Sequence, residues 1–280
     1  MTRSDRARPG FWQHSPLIRA SAGLHGAALI ALAAAPESWP LALGSIVASH
    51  AAIAAASMAP RSSLLGPNIT RLPAPPPGGL SLTFDDGPDP DVTPRVLDLL
   101  AQAGAVATFF CIGRQAEQHP DLIAAIRAAG HGVENHTYAH DPRFALGRSA
   151  ALRAEVGRAQ VALTTSGAAP PRFFRAPAGM VNPWLAAVLA AEALSLVSWT
   201  RRGFDTVTRD PAVVAARLVK NLGAGDILVL HDGRSARTAT GAPVVLDALA
   251  RVLERMARQS LSSAALGALL PPSPAEPQGS

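Results

Sequence analysis

The run Asp85-Asp86-Gly87-Pro88-Asp89 closes an apolar stretch, Leu80-Ser81-Leu82-Thr83-Phe84. Side chains alternate along a strand, so adjacent carboxylates at its end are expected to point to opposite sides. One can then hold a metal while the other faces the water that the metal activates, and this division of labour is hydrolytic chemistry. Further on, His136-Thr137-Tyr138-Ala139-His140 places two imidazoles four positions apart. On a helical turn that spacing puts both rings on one face, with Cβ atoms about 5–6 Å apart. Three protein ligands plus a water leave a catalytic zinc open, and Asp86, His136 and His140 make three. Alone, the histidine pair reads equally well as a solvated turn; the aspartates tip the reading toward a metal.

Three more positions extend the constellation. Arg175, in Arg175-Ala176-Pro177-Ala178-Gly179, follows the apolar Phe173-Phe174 and could orient Asp85 through a bidentate, charge-assisted pair. Asp205 lies beyond Trp199, and His231-Asp232 follow Leu228-Val229-Leu230. A histidine held by a carboxylate has its charged form favoured, which suits a general acid near neutral pH. His14, His25, His50, His119 and His131 have no partner pattern and read as structural or exposed. Trp199 reads as core.

The elements that must position these residues alternate strand and helix. Strand-like runs are expected at 80–84, 107–111, 131–135, 172–174, 194–199 and 227–230. Helical stretches are expected at 92–103, 115–129, 149–165, 182–191, 211–222 and 244–258. That alternation implies a parallel sheet with helices around it. Each polar cluster falls just past the C-terminal end of an expected strand, the face where α/β barrels build active sites.

At 280 residues the chain has room for one domain of about 200 residues and extra segments. Its single cysteine, Cys111, excludes an internal disulfide and a cysteine-built metal site, and its apolar setting reads as core. The net charge of +5 comes from scattered arginines rather than a basic stripe with interleaved aromatics, so no nucleic-acid partner is expected. Aromatics are scarce, which argues against a long stacking groove for glycans.

Residues 1–59 divide into a polar stub carrying Arg3, Arg6 and Arg8 and an apolar, alanine-rich stretch broken at Pro36-Glu37-Ser38-Trp39-Pro40. Its halves, 20–35 and 41–59, approach the ~20 apolar residues that span a bilayer. Three readings stand: a membrane hairpin, a signal peptide cut near Ala33-Ala34-Ala35, and a soluble helical pair. Arginines on both flanks and only Glu37 at the break favour the hairpin, with the following domain on the cytoplasmic side of a bacterial-type inner membrane. Residues 60–79, rich in proline and glycine, read as a stiff linker. The catalytic domain is expected over 80–270, and the polar, proline-rich 271–280 as a disordered tail.

The segments Thr83-Phe84-Asp85-Asp86-Gly87-Pro88, His136-Thr137-Tyr138-Ala139-His140, Arg175-Ala176-Pro177-Ala178-Gly179, Asp205 and Leu228-Val229-Leu230-His231-Asp232 resemble, in order, the five motifs of the NodB-homology polysaccharide deacetylases, carbohydrate esterase family four. The resemblance covers about 80–270. It implies a distorted (β/α) barrel with fewer than eight strands and metal-dependent removal of N- or O-linked acetyl groups from sugars. It makes Asp85 the general base, His231 the general acid supported by Asp205, and Arg175 the tether of Asp85. Asp86, His136 and His140 become ligands of a divalent metal, Zn²⁺ before Co²⁺ or Mn²⁺. Pro177, Ala178 and Gly179 would contact substrate, and Leu228 and Leu230 would border the acyl pocket. The implied partner is an N-acetylated oligosaccharide, polysaccharide or lipid-linked glycan.

Two positions depart from the family pattern: Ala178 stands where an aromatic is frequent, and Thr206 follows Asp205 where a tryptophan is common. Neither removes a catalytic atom, but both thin the walls that grip a sugar. Competing readings are a glycoside hydrolase, which would need Asp85 and Asp205 to straddle a bond, and a membrane-anchored glycan-binding pseudoenzyme. A zinc peptidase is disfavoured because Thr137 follows His136 where that helix carries its glutamate.

Overall fold

The computed structural model describes residues 15–270; the N-terminal stub with Arg3, Arg6, Arg8 and His14, and the tail 271–280, lie outside the described residues. Strand β1 (Gly79–Asp85) is buried along its whole length, as a strand covered on both faces must be. It is flanked by β2 (Ala107–Cys111) and β7 (Ile227–His231), and beyond them lie β3 (Gly132–Asn135), β4 (Phe173–Phe174), β5 (Ser195–Leu196) and β6 (Arg201–Arg202). The order is β5-β4-β3-β2-β1-β7-β6, every pairing is parallel, and a short β8 (Ser262–Ser263) pairs with the start of β1. Beyond these ladders β5 and β6 are not paired with each other, so the sheet curls into a distorted (β/α) barrel that stops short of closure.

Helices α3 (Thr93–Gln102) to α10 (Leu266–Leu269) cover this sheet. The stretch expected as one helix over 115–129 is two, α4 (Gly113–Gln118) and α5 (Pro120–Ala128). Pro120 disfavours the helical conformation at His119 and supplies the first residue of a new helix. Helix α8 (Pro211–Val219) starts with Pro211 behind Asp210, whose carboxylate caps the amides of Ala212 and Val213. Helix α9 (Val244–Arg258) turns Val245, Leu249, Val252 and Met256 into the core with Leu82, Phe84, Leu228 and Leu230. Strands β6 and β8 were not expected; two residues each carry too little periodicity to announce themselves.

Helices α1 (Pro16–Ala34) and α2 (Trp39–Ser57) pack side by side, with the Ser49 hydroxyl bonded to that of Ser21 at 2.8 Å. Both are long and apolar enough to cross a membrane by length and composition. Their outward side chains are uncovered: Leu29 is 67% exposed and Ile30 72%. The base of the pair is docked on the barrel. Ile18 and Ala56 are buried with Phe174, Ala176, Val181 and Leu185, and the Val181 amide donates to Ser57 O at 3.1 Å.

The proline-rich stretch after α2 also carries structure. Ile69 pairs with Val197 beside β5, the Leu72 amide donates to Gly225 O, and Leu65 and Leu72 are buried. Arg71 adds an ion pair to Asp226 at 2.6 Å. This strap runs from β5 toward the start of β7 and so crosses the seam that the open barrel leaves.

Candidate active site

At the C-terminal ends of the strands lies a pocket of about 300 Å³ whose walls include Asp85, Asp86, His136, His140, Ala178, Gly179, Trp199, Val229 and His231. Asp85 and Asp86 do not diverge as strand alternation predicts. Asp86 has φ 72°, a left-handed conformation that turns its side chain back, so both carboxylates enter one pocket.

His136 and His140 do share a face, but not on a helical turn. Thr137 and His140 have φ of 65° and 52°, and the segment is a loop pinned from outside. Asn135 Oδ1 accepts from the Thr137 amide, Thr137 Oγ1 from the His140 amide, and Glu155 from the Ala139 amide. The rings lie 4.8 Å apart between centroids. Non-glycine residues held at positive φ store strain, and such strain collects where function requires it.

Asp86 Oδ1 lies 3.3 Å from His136 Nε2 and 3.0 Å from His140 Nε2, and the three donor atoms fit within 4.8 Å of one another. That oxygen is buried and has no hydrogen-bond partner. An orphaned anionic oxygen between two imidazole nitrogens is a donor set for a divalent cation, so the residues fit the expected metal. His136 Nδ1 lies 2.8 Å from Arg175 O; donating there leaves Nε2 as the lone-pair nitrogen a metal needs. Burial alone would raise the Asp86 pKa, but the neighbouring imidazoles, His136 foremost, hold it well below the usual carboxylate range. Burial and the charge of His136 push His140 down to about 4.

Arg175 is fully buried, and only one arm of its guanidinium reaches Asp85. Nη1 donates to Asp85 Oδ1 and to Thr83 Oγ1, both at 2.7 Å, while Nε and Nη2 donate to the carbonyls of Val197 and Ser198. The expected bidentate pair is therefore a single bond from a fork whose other teeth are locked in backbone. On the facing strand, His231 Nδ1 is 2.8 Å from Asp205 Oδ1, and Asp205 Oδ2 accepts the His231 amide at 2.8 Å. Burial would lower the His231 pKa; Asp205's charge and hydrogen bond, aided by Asp85 and Asp86, outweigh it and raise the value to about 9. Asp205 is fully buried against His231, so it cannot straddle a glycosidic bond with Asp85.

One group of expected substrate contacts is corrected. Leu228 and Leu230 are buried in the core beneath α9, and the pocket wall is Val229. Alternation explains this: Val229 and His231 are two apart and share the inner face, which turns both leucines outward. Ala178 and Gly179 do line the pocket, whereas Pro177 is buried beside it. Gly179, at φ 74°, sits against Pro60 of the strap and the Trp199 ring, where an added Cβ would fall 2.5 Å and 2.6 Å from them. Cys111 is buried, which pushes its thiol pKa up and leaves it unreactive.

Residues 73–196 match the profile of the family described as polysaccharide deacetylase. The chain is 34% identical to a peptidoglycan-N-acetylglucosamine deacetylase of Bacillus cereus over 68% of its own length and 87% of that protein's. The chain belongs to the polysaccharide deacetylase family. As a member it is a carbohydrate deacetylase, a hydrolase with the barrel expected of carbohydrate esterase family four. It is also 35% identical to a chitooligosaccharide deacetylase of Bradyrhizobium, covering 64% of this chain and 84% of that one. A family 4 carbohydrate esterase from Streptomyces lividans, solved with acetate, superposes with a TM-score of 0.60 at 33% identity over 66% of this chain and 91% of that one.

Three side chains at this deacetylase's pocket escaped sequence reasoning. Trp199 and Arg202 form one wall and Arg234 another. The signal for Arg202 was in principle available: Arg201 and Arg202 alternate on β6, with Arg201 turned to Asp226 and Arg202 beside Val229. Asp232 was also underread. Burial raises its pKa to about 7, the Thr93 hydroxyl donates to it at 2.6 Å, and its carboxylate sits where a Cβ on Gly87 would fall, so it props the aspartate loop.

Proposed function

We propose that the protein removes acetyl groups, N-acetyl before O-acetyl, from a carbohydrate by direct hydrolysis. The observation that carries this reading is the convergence of three prepared groups on one pocket: Asp85 held by Arg175, His231 held by Asp205, and the Asp86–His136–His140 donor set. A divalent ion on that set, Zn²⁺ before Co²⁺ or Mn²⁺, would lower the pKa of water toward ~7 and polarise the acyl oxygen. Asp85, oriented by Arg175, takes the proton from the attacking water. His231, charged at neutral pH with its Nδ1 committed to Asp205, donates from Nε2 to the departing amine. By the family resemblance, a backbone N–H near Ala178 would hold the developing oxyanion, a role that survives the loss of an aromatic side chain there.

The catalytic unit is residues 80–270 together with the strap, and α1 and α2 anchor it in a membrane as a two-pass hairpin. Arg19 in the first turn of α1 and Arg61 just past α2 mark one end of the hairpin and Glu37 sits at its turn, which favours the cytoplasmic side. There the accessible substrates are lipid-linked glycans and soluble oligosaccharides; on the other side peptidoglycan would replace them. The docked hairpin base, with Pro60 against Gly179, supports a substrate carried by the membrane.

The test is acetate release by the full-length chain in detergent from N-acetylglucosamine oligomers, with chelator, with restored Zn²⁺, and with Asp85→Asn. Release restored by zinc and abolished by the substitution is the expected result. Bound zinc without hydrolysis of any acylated glycan would turn the reading into the glycan-binding pseudoenzyme. A C-terminal reporter that scores as exported would reverse the orientation.

A further inference from the structure

The pocket's mouth carries two cations that the deacetylation chemistry leaves unused. Arg202 and Arg234 line the same pocket as the proposed catalytic groups. Several arginines of the barrel have acidic partners or two carbonyls: Arg71 and Arg201 share Asp226, Arg175 has Asp85, Arg251 has Asp247, and Arg172 reaches two carbonyls. Among the described residues no carboxylate lies within ion-pair distance of Arg202 or Arg234. The two carboxylates that line the pocket face other groups, Asp85 the Arg175 guanidinium and Asp86 the two imidazoles.

Arg202 is held rather than loose. Its guanidinium lies 5.1 Å from the Trp199 ring centroid and 4.9 Å from that of Phe204, and its Nε is buried with no hydrogen-bond partner. Stacking on aromatics fixes a planar fork without consuming its N–H groups, which is how an arginine is prepared for an oxyanion. Arg234 approaches from the loop after β7, with Nη1 2.8 Å from His140 Nδ1. Arg234 is exposed at the pocket, so the rest of its guanidinium is open to a ligand. Neutral N-acetylated sugars offer two guanidinium groups only uncharged acceptors, whereas a phosphate or carboxylate makes charge-assisted, bidentate bonds to them.

We propose that Arg202 and Arg234 form an oxyanion subsite that selects acylamino sugars carrying a phosphate or carboxylate close to the acyl group. This deepens, and rests on, the deacetylase reading. The test compares three otherwise matched N-acetylglucosamine oligomers, neutral, phosphorylated at the reducing end, and bearing a lactyl carboxylate, using the full-length zinc-loaded enzyme. One or both anionic oligomers are expected to exceed the neutral one in kcat/KM by about tenfold or more at low salt, through KM, with the gap narrowing at high salt. Whichever arm leads names the source of the charge.

Arg202→Met and Arg234→Met are expected to erase most of that preference, and Arg202→Lys to keep part of it, since the charge survives without the fork. A second readout is independent of turnover: calorimetric titration of N-acetylglucosamine 1-phosphate and of neutral N-acetylglucosamine into enzyme with and without metal. Tighter binding of the phosphate, weakened about tenfold by Arg202→Met, is the expected result. Equal binding of the two sugars by the wild type, or an unaltered preference in the methionine variants, overturns the subsite. Failure to release acetate from all three oligomers would instead overturn the deacetylase reading, while the calorimetry still decides the subsite.

Discussion

Two pairs of histidines lie at almost the same separation and do different things. His136 and His140 stand 4.8 Å apart at the strand ends; His25 and His50 stand 5.2 Å apart between α1 and α2. In each hairpin histidine Nδ1 contacts a carbonyl one turn back on its own helix, Ser21 O at 2.7 Å and Ile46 O at 2.9 Å. No carboxylate accompanies them in any metal-capable group of the described residues. The barrel pair has Asp86 between its Nε2 atoms and one ring orientation fixed by Arg175 O. Ring proximity is therefore not a metal site; a buried anion with an unfilled lone pair, and an outer bond that selects the tautomer, make the difference.

The comparison can be broken most directly at the anion. Asp86→Asn or His136→Ala is expected to lose stoichiometric zinc and at least ~10³-fold in kcat/KM, read by metal analysis and acetate release. Retained zinc in both variants would put the metal elsewhere. Arg175→Met removes a guanidinium that is buried beside Asp85 and should cost ~3–5 kcal/mol of stability, measured by denaturant unfolding, because it strands a buried carboxylate.

Next in size is Asp205→Asn, expected to keep the metal and lower kcat ~10²-fold. His231 must be protonated to act as the acid, and Asp205 raises its pKa to about 9. Wild-type activity should therefore hold below about pH 9 and fall above it, with the basic limb moving toward ~6.5 in the variant. The same sign governs stability: the His231–Asp205 pair contributes fully below the unfolded histidine pKa, and that contribution is lost as pH rises through about 9. The smallest effect is assigned to the hairpin pair. His25→Ala and His50→Ala should change kcat/KM less than about twofold and leave zinc content unaltered, since neither touches a group that reaches the pocket. A larger loss in either would mean that the two histidine pairs are coupled.

Much of this was legible before any coordinates. Five of the expected strands are found within a residue or two of their predicted bounds, and Ser149–Thr165 and Val244–Arg258 are helices where periodicity puts them. Motif order pointed to Asp85, Asp86, His136, His140, Arg175, Asp205 and His231, and the fold gathers all seven at one end of the barrel. What local reading missed was backbone handedness. It assumed strand geometry at Asp86 and a helical turn at His140, and positive φ at both overrules those assumptions. It also misjudged which way strand residues face at Leu228 and Leu230, an error that alternation from His231 corrects. The encounter of His25 with His50, and the reach of Arg234 into the pocket, depend on packing between segments far apart in sequence, which no local pattern carries.

The strap over the barrel's seam has a consequence in time. Ile69, Arg71 and Leu72 leave the ribosome early, yet their partners Val197, Gly225 and Asp226 are synthesised only near the end of the barrel. At ~5–20 residues per second the strap waits roughly 6 to 30 seconds with nothing to bind. Closing so long a loop is slow for a free chain. A segment made before β1 is thus fastened only after the chain has passed β5 and reached β7, and the barrel is sealed by a latch already waiting at its door.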